Sequence, residues 1–198
     1  MKKTDNTKYD EDFDRSIWED ILSFSFTFIA VSLVIVLTAY FIIKPAVVSG
    51  RSMYPTFTDG QRGFSNILSL SLQGLDRGDV VVAKVTLEDG SEANVVKRVI
   101  GLPGETISCK NGNVYIGNTI LNESVYLNDY VIEQAEKQYG YYNQDFDPVT
   151  LGNAEYFLMG DNRPISKDSR DLGPFKSSQI LSKDFFTIYP LEEFGYYS

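Results

Sequence analysis

No charged residue occurs between Ile21 and Ile43, a 23-residue run reading ILSFSFTFIAVSLVIVLTAYFII. About 20 apolar residues in a helix cross the hydrocarbon core of a bilayer, so this run predicts a transmembrane anchor over 21–43. A removable secretory signal would have a shorter apolar region of about 7–15 residues and a small-residue cleavage site after it. Neither is present, so the anchor is expected to stay on the chain. Residues 1–20 are polar, with Lys2, Lys3, Lys8 and Arg15 set against seven acids, and read as a weakly structured tail. Lys44, Arg51 and Arg62 follow the span. Counting basic residues near its two ends places the tail in the cytoplasm by a small margin, with residues 44–198 on the far side.

Beyond Pro45 the pattern shortens. Runs rich in β-branched and aromatic residues cover 46–49, 79–87, 93–102, 113–121, 155–160 and 185–190, with Asp-Gly, Pro-Gly and Asn-Gly turns at 59–60, 89–90, 103–104 and 111–112 between them. Many short strands joined by such turns predict a mainly β body. Residues 126–148 interrupt the rhythm with a polar, Tyr-rich stretch, and an inserted subdomain or excursion is expected over 126–155. The roughly 155 residues after the anchor suffice for one body with its own core.

Composition narrows the chemistry. The net charge of −9 argues against nucleic acid as a partner, because binding phosphates needs a basic face. The chain has no histidine, which excludes Ser–His–Asp and Cys–His catalysis and imidazole-based zinc sites. Its single cysteine, Cys109, allows neither an internal disulfide nor a cysteine metal cluster, and is read as a small core residue. No metal or cofactor is expected.

A serine nucleophile in such a chain needs another base, and lysine can serve. The amine must be neutral, whereas a free lysine with pKa near 10.4 is neutral only about once in a few thousand molecules at pH 7. Burial among apolar groups lowers that pKa. The signature is therefore a lysine inside an apolar strand, and two fit, Lys84 in VVVAKVTL and Lys97 in NVVKRVIG. Most lysines on half-buried strands point to solvent, and spacing does not choose between these two. For the nucleophile, Ser49-Gly50-Arg51-Ser52-Met53-Tyr54-Pro55-Thr56 stands out directly after the anchor, with a glycine before Ser52 and a proline after it.

Four segments carry a resemblance to a known family. Ser52-Met53-Tyr54-Pro55-Thr56 resembles the nucleophile motif of type I signal peptidases. Arg77-Gly78-Asp79 with Val80-Val81-Val82 resembles their RGD strand, and Lys97-Arg98-Val99-Ile100-Gly101-Leu102-Pro103-Gly104-Glu105 their general-base motif. Gly160-Asp161-Asn162-Arg163, followed by Ser166, Asp168, Ser169 and Arg170, is similar to their last shared motif. All four occur in the family's order behind an N-terminal anchor, and the resemblance runs from Ile21 to about Pro190.

The resemblance implies a β body shared with self-cleaving repressor proteases, with a small extra subdomain. It makes Ser52 the nucleophile and Lys97 the general base, and decides against Lys84. Ser166 would orient the lysine amine, Asp168 and Arg170 would hold that loop, and Asp161, Asn162 and Arg163 would shape the turn beside the site. Arg77, Gly78, Asp79 and Arg98 would be structural. Gly50 stands where some members have a serine whose hydroxyl helps hold the oxyanion, as in the Gram-positive-like branch, which leaves the Ser52 N–H as the main donor. The implied substrates are secretory preproteins cut after small residues at −1 and −3. The signal peptide would add as a strand beside 46–49 and 94–96, with Met53, Tyr54 and Val96 lining the groove; Met53, Tyr54, Phe57 and 63–68 would line it, rest on membrane lipid, or form core. Two rivals differ in kind. A repressor-type self-cleaving protease would need a DNA-binding module instead of a span. A scaffold for pilus or surface-protein assembly would have lost the dyad that this chain retains.

Overall fold

A single helix accounts for the long apolar run. The computed structural model describes residues 7–87 and 89–197, and its first element is α1, Thr7–Ile42. The stretch Ile17–Tyr40 within α1 is long and apolar enough to cross a membrane. Its apolar side chains are exposed on all sides, as lipid-facing ones would be, and the hydroxyls of Thr27 and Thr38 bond back to the carbonyls of Ser23 and Val34. A polar group in lipid must find such a partner within the protein. The helix starts inside the stretch read as a weakly structured tail. Once nucleated by the apolar run, each further residue adds a hydrogen bond at little cost, so the helix extends back through polar sequence. It forms one compact unit up to Ile42, and residues 43–198 form the other.

The second unit is mainly β, as expected. Its large sheet uses β1 (Ile43–Val47), β2 (Arg62–Asn66), β3 (Val80–Thr86), β4 (Glu92–Gly101), β9 (Glu155–Met159), β10 (Phe175–Lys176), β11 (Ile180–Tyr189) and β12 (Gly195–Tyr197). The order is β1-β2-β11-β3-β4-β9-β10, with β12 added on β11. A smaller sheet has the order β7-β6-β5-β8, from β5 (Thr106–Lys110), β6 (Asn113–Ile116), β7 (Thr119–Ile120) and β8 (Phe146–Thr150). Short helices α2 (Ile67–Gln73), α3 (Asp129–Tyr139) and α4 (Ser169–Leu172) connect them. The small sheet and α3 make a lobe over 106–150, which takes in most of the stretch 126–155 where an inserted subdomain was expected. Its α3 is capped by Asn128 and ended by left-handed Gly140.

Two core layers position the site. Val81, Ala83, Val85, Val99, Leu158, Phe175 and Ile180 pack together as one buried cluster. Val48, Met53, Phe57, Val80 and Phe185 pack as another, with Ala46 and Val96 against it. Both draw on the central pair β3 and β4, which run antiparallel with Val81 opposite Lys97 and Val82 opposite Val96. Burying these valines ties the backbone of Lys97 into the most rigid part of the sheet.

β11 is longer than its FFTIY core suggests. It bulges at Asp184, which has φ of 59°, and this turns the buried Lys183 amine onto Asp79 at 3.1 Å and the Asp184 carboxylate onto Ser69 at 2.7 Å. Polar residues satisfied by distant partners hid the strand. Opposite the same strand, a Cβ at Gly63 would lie 2.2 Å from the Phe186 carbonyl oxygen and 2.5 Å from the Phe185 ring. Backbone cannot yield as a side chain can. Gly63→Ala is therefore expected to destabilise the protein by at least about 1–3 kcal/mol. Gly195→Ala, whose nearest neighbour would be 4.0 Å away, should shift stability by less than about 0.5 kcal/mol. Thermal unfolding of the full chain in detergent measures both.

Candidate active site

Ser52 and Lys97 meet. The turn after β1 carries Ser52 to the middle of β4, and Lys97 Nζ lies 2.8 Å from Ser52 Oγ as a hydrogen-bond donor. A neutral amine at that distance accepts the hydroxyl proton instead. The Lys97 side chain is 2% exposed. Burial drives its pKa down to about 8; the Asp168 carboxylate opposes this, the Arg170 guanidinium reinforces it, and Asp161 opposes it more weakly. About one molecule in ten then holds a neutral amine at pH 7, against one in a few thousand for a free lysine. Lys84 is different. It is half-exposed at the β3–β4 hairpin and pairs with Glu92 at 2.9 Å, far along β3 from Ser52's partner.

The two acids near the lysine are each held by an arginine. Asp161 is fully buried and takes a two-pronged contact from Arg98, at 2.9 Å and 2.7 Å. Thr56 Oγ1 donates to the same carboxylate at 2.5 Å. Arg98 also donates to the Gly78 carbonyl at 2.7 Å and stacks on Tyr126 with its charge 4.2 Å from the ring centre. Asp168 takes two contacts of 2.8 Å from Arg170 and accepts the Gly160 N–H at 2.9 Å. Burial pushes the Asp168 carboxyl up, but the Arg170 guanidinium and the Gly160 N–H outweigh it, so its pKa lies below the usual value. Asp168 also caps α4.

Ser166 sits at the dyad without touching the amine. Its buried Oγ makes no hydrogen bond of good geometry among the described residues, but it lies close enough to the Asp168 carboxylate to help lower that group's pKa. A Cβ at Gly160 would lie 2.2 Å from that Oγ and 2.4 Å from the Ser52 carbonyl oxygen, so Ser166 and Ser52 press on the same glycine. Gly50 has φ of 86°, and its N–H donates to Asp59 at 2.7 Å. That N–H is thus already engaged. The Ser52 N–H donates to no group among the described residues. Of the groove residues, Val96 is half-buried and Tyr54 is 41% exposed, whereas Met53 is 1% exposed and belongs to the core. Phe57 is core as well.

Arg77 pairs with Glu105 at 2.5 Å and donates to the Ile100 carbonyl, and Asp79 receives Lys183, so both ends of that motif are structural. Sequence reasoning missed Thr56, Asp59, Glu123, Tyr142 and Asn143. Arg163 is buried and pairs with Glu123, and its other nitrogens reach Asn143 at 2.8 Å and the Gly160 carbonyl at 3.0 Å. A buried arginine demands an acid, but nothing in the spacing points to one 40 residues earlier.

The chain is similar in sequence to known proteins over most of its length. The profile of the family described as signal peptidase, peptidase S26, matches residues 21–189. Signal peptidase I S of Bacillus subtilis is 40% identical over 77% of this chain and 80% of its own. Signal peptidase IB of Staphylococcus aureus is 37% identical over 85% of this chain and 90% of its own. A crystal structure of a signal peptidase I from Enterococcus faecalis, 30% identical, covers 55% of this chain and 95% of its own with a TM-score of 0.45.

Burying Lys97 costs stability, and the sign is fixed by linkage. The pKa falls from 10.5 to about 8 on folding. Below pH 8 both folded and unfolded chains carry the charge, and the folded one bears a penalty of roughly 3 kcal/mol. Between pH 8 and 10.5 the folded state sheds its proton first, so wild-type stability rises. Lys97→Met should accordingly be the more stable protein at pH 7, with its advantage fading as pH climbs through 8 towards 10.5. Denaturant unfolding at a series of pH values checks this.

Proposed function

We propose, for a chain that belongs to the signal peptidase family, peptidase S26, that Ser52 is the nucleophile and Lys97 the general base of signal-peptide removal. The chain is a serine endopeptidase of the signal peptidase I kind. The observation that carries the residue roles is the 2.8 Å contact between a buried, pKa-lowered amine and a serine hydroxyl.

The chemistry follows from that contact. Neutral Lys97 takes the Ser52 proton as Oγ attacks the scissile carbonyl, and the tetrahedral oxyanion forms against the Ser52 N–H. Collapse breaks the C–N bond; the Lys97 ammonium gives its proton to the departing amine, leaving an ester on Ser52. Lys97, neutral again, deprotonates a water that attacks the ester, and the returned proton regenerates the Ser52 hydroxyl. Arg98 and Arg170 support this by occupying Asp161 and Asp168, which would otherwise hold the lysine charged. Ser166 lies beside Asp168, and its hydroxyl would turn from there to meet the amine when substrate excludes solvent.

Substrate binding fits the open side of β4. Its partner β3 pairs along Glu92–Arg98, while β9 begins only at Arg98, so among the described residues Glu92–Lys97 has one unpaired edge. An extended peptide adds to such an edge by main-chain hydrogen bonds. Ala46 on β1 and Val96 on β4 pack against one core cluster, which supports the reading of 46–49 and 94–96 as the two walls. The substrates are secretory preproteins with small residues before the cut. α1 would anchor the enzyme with its N-terminus in the cytoplasm and residues 44–198 outside. No observation favours a scaffold role.

The test is cleavage of a preprotein with a small-x-small site by the full chain in detergent. Ser52→Ala and Lys97→Ala should each lose at least about 10³-fold in rate. The wild-type kcat should rise with pH through an apparent pKa near 8, the value set by burial of Lys97. A Lys97→Ala variant that cuts at wild-type rate would show the base to be another group.

A further inference from the structure

We propose that Tyr142, from the inserted lobe, is a positioning residue for peptide hydrolysis. It holds Asn162, and Asn162 orients the two peptide planes that flank Ser52. The proposal rests on the Ser52–Lys97 reading and extends it to residues outside the dyad.

The contacts run in an unbroken line. Tyr142 is 5% exposed, and its hydroxyl donates to the backbone carbonyl of Asp161 at 2.5 Å. Burial pushes that hydroxyl's pKa well up, so it remains a donor throughout the working pH range. The next residue, Asn162, donates twice. Its N–H reaches the Ser52 carbonyl at 3.0 Å, and its side-chain amide reaches the Arg51 carbonyl at 3.0 Å. On the far side, Arg163 is held by Glu123 and Asn143 from the same lobe. The lobe thus grips the Asp161–Arg163 turn, and the turn grips the nucleophile's backbone.

The second contact of Asn162 matters for catalysis because a peptide unit is planar. The Arg51 carbonyl and the Ser52 N–H belong to one plane and point in opposite directions across it. Holding the Arg51 oxygen therefore aims the Ser52 N–H. That N–H is the donor left for the oxyanion, since the Gly50 N–H is taken by Asp59. The first contact holds the following plane, so rotation about Ser52 is restrained on both sides. Neither Asn162 nor Tyr142 hydrogen-bonds to Lys97, which leaves the base outside this device.

An interaction that aligns an oxyanion donor acts on the transition state more than on bound substrate. Losing one such donor outright costs about 10²–10³ in kcat, so misaligning it should cost about tenfold or more, with KM within about twofold. The experiment is steady-state cleavage of a preprotein by the full chain in detergent, across pH, for wild type, Tyr142→Phe, Asn162→Ala and the double variant. Each single variant should lose kcat by about tenfold or more with its acid limb still near 8, and the double should be no worse than the poorer single. Non-additivity of that kind means the two residues act through one route. The proposal is overturned by a wild-type kcat in Tyr142→Phe, by a loss confined to KM, by a displaced acid limb, or by losses that multiply in the double variant. Should Tyr142→Phe be recovered unfolded, Asn162→Ala decides alone, and a wild-type kcat there overturns the proposal. Ser52→Ala in the same assay keeps the two readings apart. If the wild type cuts and Ser52→Ala does not, the nucleophile stands whatever Tyr142→Phe does.

Discussion

Burying one amine beside a hydroxyl, at 2.8 Å and with its pKa lowered, is the constraint on which the candidate site depends. Water would stabilise the charged form of Lys97, so the amine must be dry; a free carboxylate would stabilise that charge too, so nearby acids must be engaged elsewhere. The first need is met by β3 and β4, whose valines bury the strand on both faces. The second is met by two arginines, one on Asp161 and one on Asp168. Each guanidinium binds its carboxylate through two nitrogens, which is the geometry that makes such pairs tolerable when desolvated. Lys183 shows the contrast within the same protein. It is as buried as Lys97 but sits directly on the carboxylate of Asp79, and so acts as half of an ion pair.

Charge pairing also joins the two sheets. The small lobe has a core of its own around Leu127, Ala135 and Tyr142, shares a buried apolar cluster with the large sheet in which Ile107, Cys109 and Val114 pack on Ile100, Phe157 and Met159, and adds polar links to that contact. Glu123 and Asn143 meet Arg163, Tyr126 lies under Arg98, and Tyr142 meets Asp161. An apolar contact alone would tolerate sliding. Directional bonds to buried groups do not, because each misplaced partner leaves an unsatisfied donor or acceptor.

What the sequence revealed, and what it concealed, divides along the same line. The anchor, the alternation of β3 and β4, and the turns were legible because they are local: run length, side-chain period and Gly-containing dipeptides carry them. The absence of histidine and the order of four motifs pointed to Ser52 and Lys97, and the two side chains meet at 2.8 Å. The start of α1 at Thr7, the lobe beginning at Thr106 and the full extent of β11 were not legible. The last two depend on partners remote in sequence, as Lys183 depends on Asp79 and Arg163 on Glu123, whereas α1 extends into polar sequence by propagation from the apolar run. Met53 was left open between groove, lipid surface and core and packs in the core, since alternation marks which residues share a face but not which face is covered.

The unpaired edge of β4 has a meaning apart from catalysis. Main-chain hydrogen bonds do not read sequence, so an exposed strand edge invites any extended chain, including that of another copy of the same protein. Here the exposed length is only the six residues Glu92–Lys97, closed at one end by β9 and at the other by a hairpin bearing Asp89, Glu92 and Lys84. That is room for one short strand, and the charges of the hairpin beside it, rather than the length of the edge, work against sheets joining there. The fold thus admits a guest strand without becoming a seed for aggregation.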